Sequence, residues 1–147
     1  MTPLKVFRAA AVVEAVTWAG LLGGMFLKYV PGTTELGVKV FGPIHGVAFI
    51  AFCLVTVLVA VDGRWSRGRL LLGLASAVPP FFTVLFDRYA ERRDLLADAW
   101  HDRSASDSSL ERAVCWLVSH YRAGLVVLAG AVAGLTGLAL LVGPPVG

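Results

Sequence analysis

The sequence predicts an all-α membrane protein with four transmembrane helices: a three-helix core and a C-terminal helix, joined by a charged, partly helical connector. Composition is the first reason: 57% of the 147 residues are hydrophobic and 16% charged, with mean hydropathy +0.76, far from ordinary globular usage. Second, the apolar residues fall into four continuous runs, Val6 to Leu27, Ile44 to Val61, Leu70 to Phe86, and Leu117 (or a turn earlier) to Val142. Each comes near the roughly 20 residues that span a hydrocarbon core as a helix. Third, the charges gather between the runs, and hydrophobicity does not alternate within them, which argues against a β-barrel.

Lys5 and Arg8 precede the first run as they would in a secretory signal. A carboxylate at Glu14, the length of the run and the lack of a small-x-small cleavage site exclude that reading. Pro43 suits the first turn of the second helix. Pro79 and Pro80 are expected to bend the third, with Ser76 and Thr83 recovering hydrogen bonds. Beyond it, Tyr89, Leu96 and Trp100 fall at helical spacing among charges, so the third helix should run on past the membrane or be followed by a short amphipathic helix. Ser108 and Glu111 form a capping-box pattern that opens a long final helix. The resulting divisions are a core at 1–93, a polar connector at 94–116, and the fourth helix with its tail at 117–147. Gly20 with Gly24, and Gly130 with Gly134, permit close helix approach within a chain or between chains.

Four crossings place both termini on one side, here side A, together with the 62–69 loop. Side B then carries the 28–43 loop and the polar segment from 87 to about 116. Lys and Arg number five on side A and eight on side B, so the positive-inside rule leans towards a cytoplasmic side B. The cations flank apolar runs and form no stripe with aromatics. That pattern suits lipid headgroups and argues against nucleic acid as a partner.

Counting about 1.5 Å per residue from side B, Lys28, Tyr29, Pro43 and Asp87 fall at the boundary, with His45 a turn inside and His120 entering from the same side. Glu14 falls about 20 Å deeper on that count, level with Thr56 and Ser76, too far to share ligands with His45. An ionisable side chain at such depth faces protein or water and is a functional candidate by default. Low-dielectric surroundings disfavour its charged form. Thr17, Trp18, Thr56 and Ser76 are its expected partners; a purely structural helix-to-helix hydrogen bond is the competing role. Asp87 and Arg88 cap the interface, where Asp87 is expected to pair with Lys28 or another arginine. Cys53 and Cys115 form no CxxC and signal neither a redox motif nor a zinc site.

Several of these residues together resemble a known family: an Arg, Glu14 followed by Thr17, "LKY" at 27–29, "HG" at 45–46 with Phe49, Trp65, and "AS…P…FD" ending at Asp87. The family comprises small bacterial integral membrane proteins catalogued as a domain of unknown function, number 3817, and the resemblance covers about residues 4–93. It implies a three-helix core in a bacterial plasma membrane and no activity. It also groups Lys28, Tyr29, His45 and Asp87 as motif positions. Phe26 and Phe82 depart from the family's usual Pro and Gly.

The sequence carries no HExxH, GxSxG, P-loop or dinucleotide fingerprint, so no enzyme, catalytic residue or metal site is expected. The leading expectation is a non-enzymatic, homo-oligomeric protein of the lipid bilayer, whose Glu14 and side-B cluster bind or pass a proton, cation or small ligand. One alternative is an accessory or assembly subunit of a larger membrane complex. The other is a haem- or quinone-binding protein using His45 and His120; the sequence names no cofactor.

Overall fold

The computed structural model describes residues 2–101 and 108–142. Two long helices dominate it, α1 (Pro3–Tyr29) and α2 (Leu36–Asp62), each of 27 residues and so about 40 Å long. Thr2 caps α1, its hydroxyl accepting from Lys5 N at 3.3 Å, and Pro3 occupies the first turn, where its missing N–H costs nothing.

The two helices are antiparallel and touch closely near the loop that joins them. A Cβ on Gly24 would fall 2.6 Å from the carbonyl carbon of Gly37, and one on Gly37 2.5 Å from Gly24 Cα, while Gly20 lies against the Phe41 ring. The Gly20/Gly24 pair thus packs within the chain. This contact explains why α2 begins at Leu36, well before the expected Pro43: the first two turns fold against α1, and Pro43 is accommodated inside the helix. Gly130 and Gly134, the other small pair, meet nothing within 4 Å.

The third apolar run is not one helix. It forms α3 (Arg67–Ala75) and α4 (Phe82–Arg92), separated by a break at 76–81 that contains Pro79 and Pro80. Phe81 sits in the break with φ +66°. The contacts of α4 give its direction. Thr83 meets Ala11 and Glu14, Asp87 and Glu91 meet Arg8, and Leu4 N donates to Ala97 O at 3.4 Å. Rising numbers in α4 therefore match falling numbers in α1. Since α3 starts just after Trp65, which packs on Phe7, both feet of the α3–α4 hairpin stand at the α1 N-terminal end and its tip reaches the middle of α1. The expected third crossing, and the placement of Asp87 on side B, are corrected by this geometry.

The chain does not continue as a helix beyond Arg92. Asp94 adopts φ +51°, Leu95 N returns to Ala90 O at 2.9 Å, and Trp65 Nε1 donates to Leu95 O at 3.0 Å. Leu96 is buried and Trp100 packs on the core cluster. At the centre of that cluster Phe7 meets Phe52, Phe86 and Trp65 at centroid distances of 5.4, 6.0 and 6.1 Å. His101 fastens the segment to the end of α2, its N–H donating to Asp62 Oδ1 at 3.1 Å and its Nδ1 lying 3.0 Å from Oδ2.

Ser108 caps α5 (Ser109–Ser119) as expected, accepting from Glu111 N. Arg64 grips Glu111 with two bonds of 2.9 and 2.8 Å, so α5 also starts at the α1 N-terminal end. Glu111 raises the Arg64 pKa above its ordinary value through these bonds. The expected long final helix is instead α5 followed by α6 (Tyr121–Val142), with a bend of 111° between them. Among the described residues, α1 and α2 are long and apolar enough to cross a membrane, and the bent α5–α6 pair is a third span if counted as one. Four membrane-crossing helices are not found there.

A buried carboxylate at the hairpin tip

Glu14 has no solvent exposure, and neither has Thr83. The Thr83 hydroxyl lies 2.7 Å from Glu14 Oε2 and 3.3 Å from the carbonyl of Ala11. A hydroxyl has one proton and two lone pairs, so this arrangement serves both protonation states. A carboxylate accepts the Thr83 proton; a carboxylic acid donates to Thr83, which turns its own proton to Ala11. Thr83 is also in the first turn of α4, where the helix dipole offers partial positive charge. Glu14 Oε1 and the indole Nε1 of Trp18, one turn along α1, are buried without a hydrogen-bond partner.

His45 belongs to this neighbourhood. Its Nδ1 is 3.0 Å from Thr17 Oγ1, and Thr17 donates to the backbone carbonyl of Glu14 at 2.8 Å. With the Thr17 proton committed there, Nδ1 must carry the hydrogen, which leaves Nε2 as the acceptor. The ring lies against Trp18 at 4.4 Å, with Phe49 farther off at 6.4 Å. The expected separation of about 20 Å is therefore wrong. It rested on starting α2 at Pro43; with α2 starting at Leu36, His45 slides to the level of Thr17.

The remaining expected positions separate. Lys28 reaches Glu35 at 3.4 Å and covers the Tyr29 ring at 5.2 Å, at the far end of α1. Lys39 and Lys28 hold the Glu35 carboxyl below its ordinary value of 4.5, chiefly through their hydrogen bonds. Asp87 lies at the opposite end of α1, its Oδ2 accepting from Arg8 Nε at 3.0 Å, so its partner is indeed another arginine. Arg8 also bonds Glu91 at 2.6 Å, while Asp87 Oδ1 is buried without a partner. Thr56 and Ser76 are buried, but each returns its proton to its own helix, to Phe52 O and Gly73 O. Thr83 is the partner that the sequence reading did not assign to Glu14. Its signal was a hydroxyl residue three positions after Pro80.

His120 caps α5 at the bend and stacks on Trp116 at 5.0 Å, and no contact links it to His45 among the described residues. Those residues contain no group of three or more His, Cys, Asp or Glu placed to hold a metal. Cys53 and Cys115 form no disulfide with each other.

Comparison with known proteins supplies the family. Residues 4–92 match the family model "Domain of unknown function (DUF3817)". The chain is 50% identical over 102 residues to "Putative membrane protein SCO5905" of Streptomyces coelicolor, a stretch covering 69% of this chain and 12% of that protein. It is 32% identical over 88 residues to "Uncharacterized membrane protein YdzA" of Bacillus subtilis, covering 59% of this chain and 91% of that protein. The chain thus spans about an eighth of the first relative and nearly all of the second. No solved structure matches. With the hairpin built from its motif residues and the family model covering more than half of its length, the chain belongs to the DUF3817 family, whose matched relatives are named membrane proteins.

Proposed function

We propose that this protein is a non-enzymatic component of the bacterial plasma membrane in which Glu14 takes up and releases a proton, or holds a small cation, at the tip of a re-entrant hairpin. One observation carries the reading: a fully buried carboxylate bonded to a hydroxyl that can turn its proton either way. Such a group changes charge without moving a helix. It also lies at the first turn of a broken helix, an arrangement that membrane transporters use for ions. His45, one turn away through Thr17, is the second stop for the same proton.

The test is infrared spectroscopy of the protein in lipid nanodiscs across pH 4 to 10. A protonated-carboxyl band that disappears in Glu14→Gln, together with proton flux into liposomes lost in the same variant, is the expected result. A band unaffected by Glu14→Gln, or equal flux in both proteins, overturns the reading.

A second reading has one observation in its favour. The relative from Streptomyces coelicolor carries this stretch as 12% of a much longer chain, so the same stretch occurs there joined to further sequence. On this reading the present chain is an accessory subunit or homo-oligomer, and the open Gly130/Gly134 face of α6 is available for packing. Gentle extraction from native membrane would return a larger complex. A monodisperse single chain would argue against it.

A further inference from the structure

The outer surface of the α3–α4 hairpin changes character along its length, and both legs change in the same order. From mid-leg to the tip the exposed side chains are apolar: Leu71, Leu72, Val78, Phe81, Phe82 and Leu85. At the feet they are Arg67 and Arg69 on α3 and Arg88 and Arg92 on α4. With 9 and 11 residues the legs are about 14 and 17 Å long, near half of a hydrocarbon core about 30 Å thick. The hairpin thus has the length and the surface of an element seated in one leaflet, its tip among acyl chains and its arginines among headgroups. Tyr89, next to Arg88, is a side chain favoured at that boundary.

The two pairs of arginines differ in what they can hold. Arg67 and Arg69 are two residues apart, which sets them on opposite sides of α3. Arg88 and Arg92 are four apart, on the face of α4 that carries Leu85 and points away from the buried Thr83, Phe86 and Ala90. The neighbouring cations are committed, Arg8 to Asp87 and Glu91, and Arg93 to the Tyr89 ring at 5.7 Å. Arg88 and Arg92 have no ion pair among the described residues. Like charges one turn apart destabilise a helix, and an anion between them removes that cost.

We propose that the outer face of α4 is a docking site for an anionic phospholipid, its phosphate held between Arg88 and Arg92 and one acyl chain lying along Leu85 and Phe82. The occupant follows from the face itself. Guanidinium forks bind phosphate oxygens in pairs, and the exposed side chains next to them, towards the tip, are apolar, so a free phosphate ion leaves half of the surface unused. A zwitterionic lipid offers the same phosphate but brings an ammonium group that two arginines repel.

Native mass spectrometry of the full chain, released from detergent with equal amounts of phosphatidylglycerol and phosphatidylcholine added, tests this. Paired guanidinium–phosphate bonds should retain phosphatidylglycerol about five-fold over phosphatidylcholine. Arg88→Gln/Arg92→Gln should abolish that preference, whereas Arg67→Gln/Arg69→Gln, which removes the same charge from the same end, should leave most of it. Circular dichroism confirms that each variant is folded. Arg88→Lys/Arg92→Lys keeps the charge and loses the forks, so it should fall to about half of the preference, and it replaces the glutamine pair if that pair does not fold. Equal retention of the two lipids by the native protein overturns the proposal. So does an equal loss in the two glutamine pairs, which would make the preference a property of net charge alone.

Discussion

Arg8 does at the membrane end what Thr83 does in the middle: it ties α4 to α1 by a bond to a buried acid. Asp87 is 5% exposed and already has one unpartnered oxygen, so losing Arg8 would leave the whole carboxylate without a cation. Arg8→Ala should cost about 1–3 kcal/mol, the usual penalty for an unsatisfied buried group, discounted because Arg8 itself is 42% exposed. Asp87→Asn in the same background should recover part of the loss, because a neutral amide needs no cation. Denaturation of the two variants in detergent, followed by circular dichroism, measures both effects. Equal stability of Arg8→Ala and the native protein would show that the pair is not holding the hairpin.

Among the elements, the α1–α2 contact is the least forgiving. Gly37→Val would drive a side chain into the backbone of Gly24, where even a Cβ has no room. The helices must then separate, and a loss of about 1–3 kcal/mol is expected from overpacking, against a negligible effect for Gly134→Val, whose surroundings are open. The loop beside this contact has its own pH dependence. Glu35 is held below 4.5 by Lys39 and Lys28, so its tie stabilises the folded loop fully above that value and is lost as pH falls through the lowered one. Amide hydrogen exchange at residues 30–36 should therefore quicken below pH 4, by more than in Glu35→Gln.

For the whole molecule, the hairpin changes the expected orientation. With three crossings in the core, the polar segment after Asp87 lay on the side opposite the N-terminus, and that side held the larger share of Lys and Arg. With α3–α4 returning to its starting side, Arg88, Arg92, Arg93 and Arg112 join Lys5 and Arg64, while Lys28 and Lys39 remain at the other end. The positive-inside rule now favours a cytoplasmic N-terminal end. Lys5→Cys and Arg92→Cys should react with a membrane-impermeant maleimide only after lysis, and Thr34→Cys in intact cells. Labelling of Arg92→Cys and Thr34→Cys from the same face would restore the crossing helix and remove the hairpin.

Amino-acid order alone determined the membrane class, the two long helices, the Ser108 cap, the close approach at Gly20 and Gly24, and the inward position of Glu14. These rest on local quantities: hydropathy summed along the chain, side-chain size, and hydroxyl groups within reach of nearby amides. Where α2 begins and where α4 points were decided by tertiary structure. Pro43 reads as a helix start until Gly37 is seen packed on Gly24, and a kinked span and a hairpin have the same run of apolar residues around Pro79 and Pro80. Direction is set by partners distant in sequence, Arg8 with Asp87 and Ala11 and Glu14 with Thr83. The Gly24–Gly37 contact brings His45 beside Thr17, and the α4 contacts carry Asp87 to the far end of α1, because a shift in helix register or direction moves every side chain on the element at once.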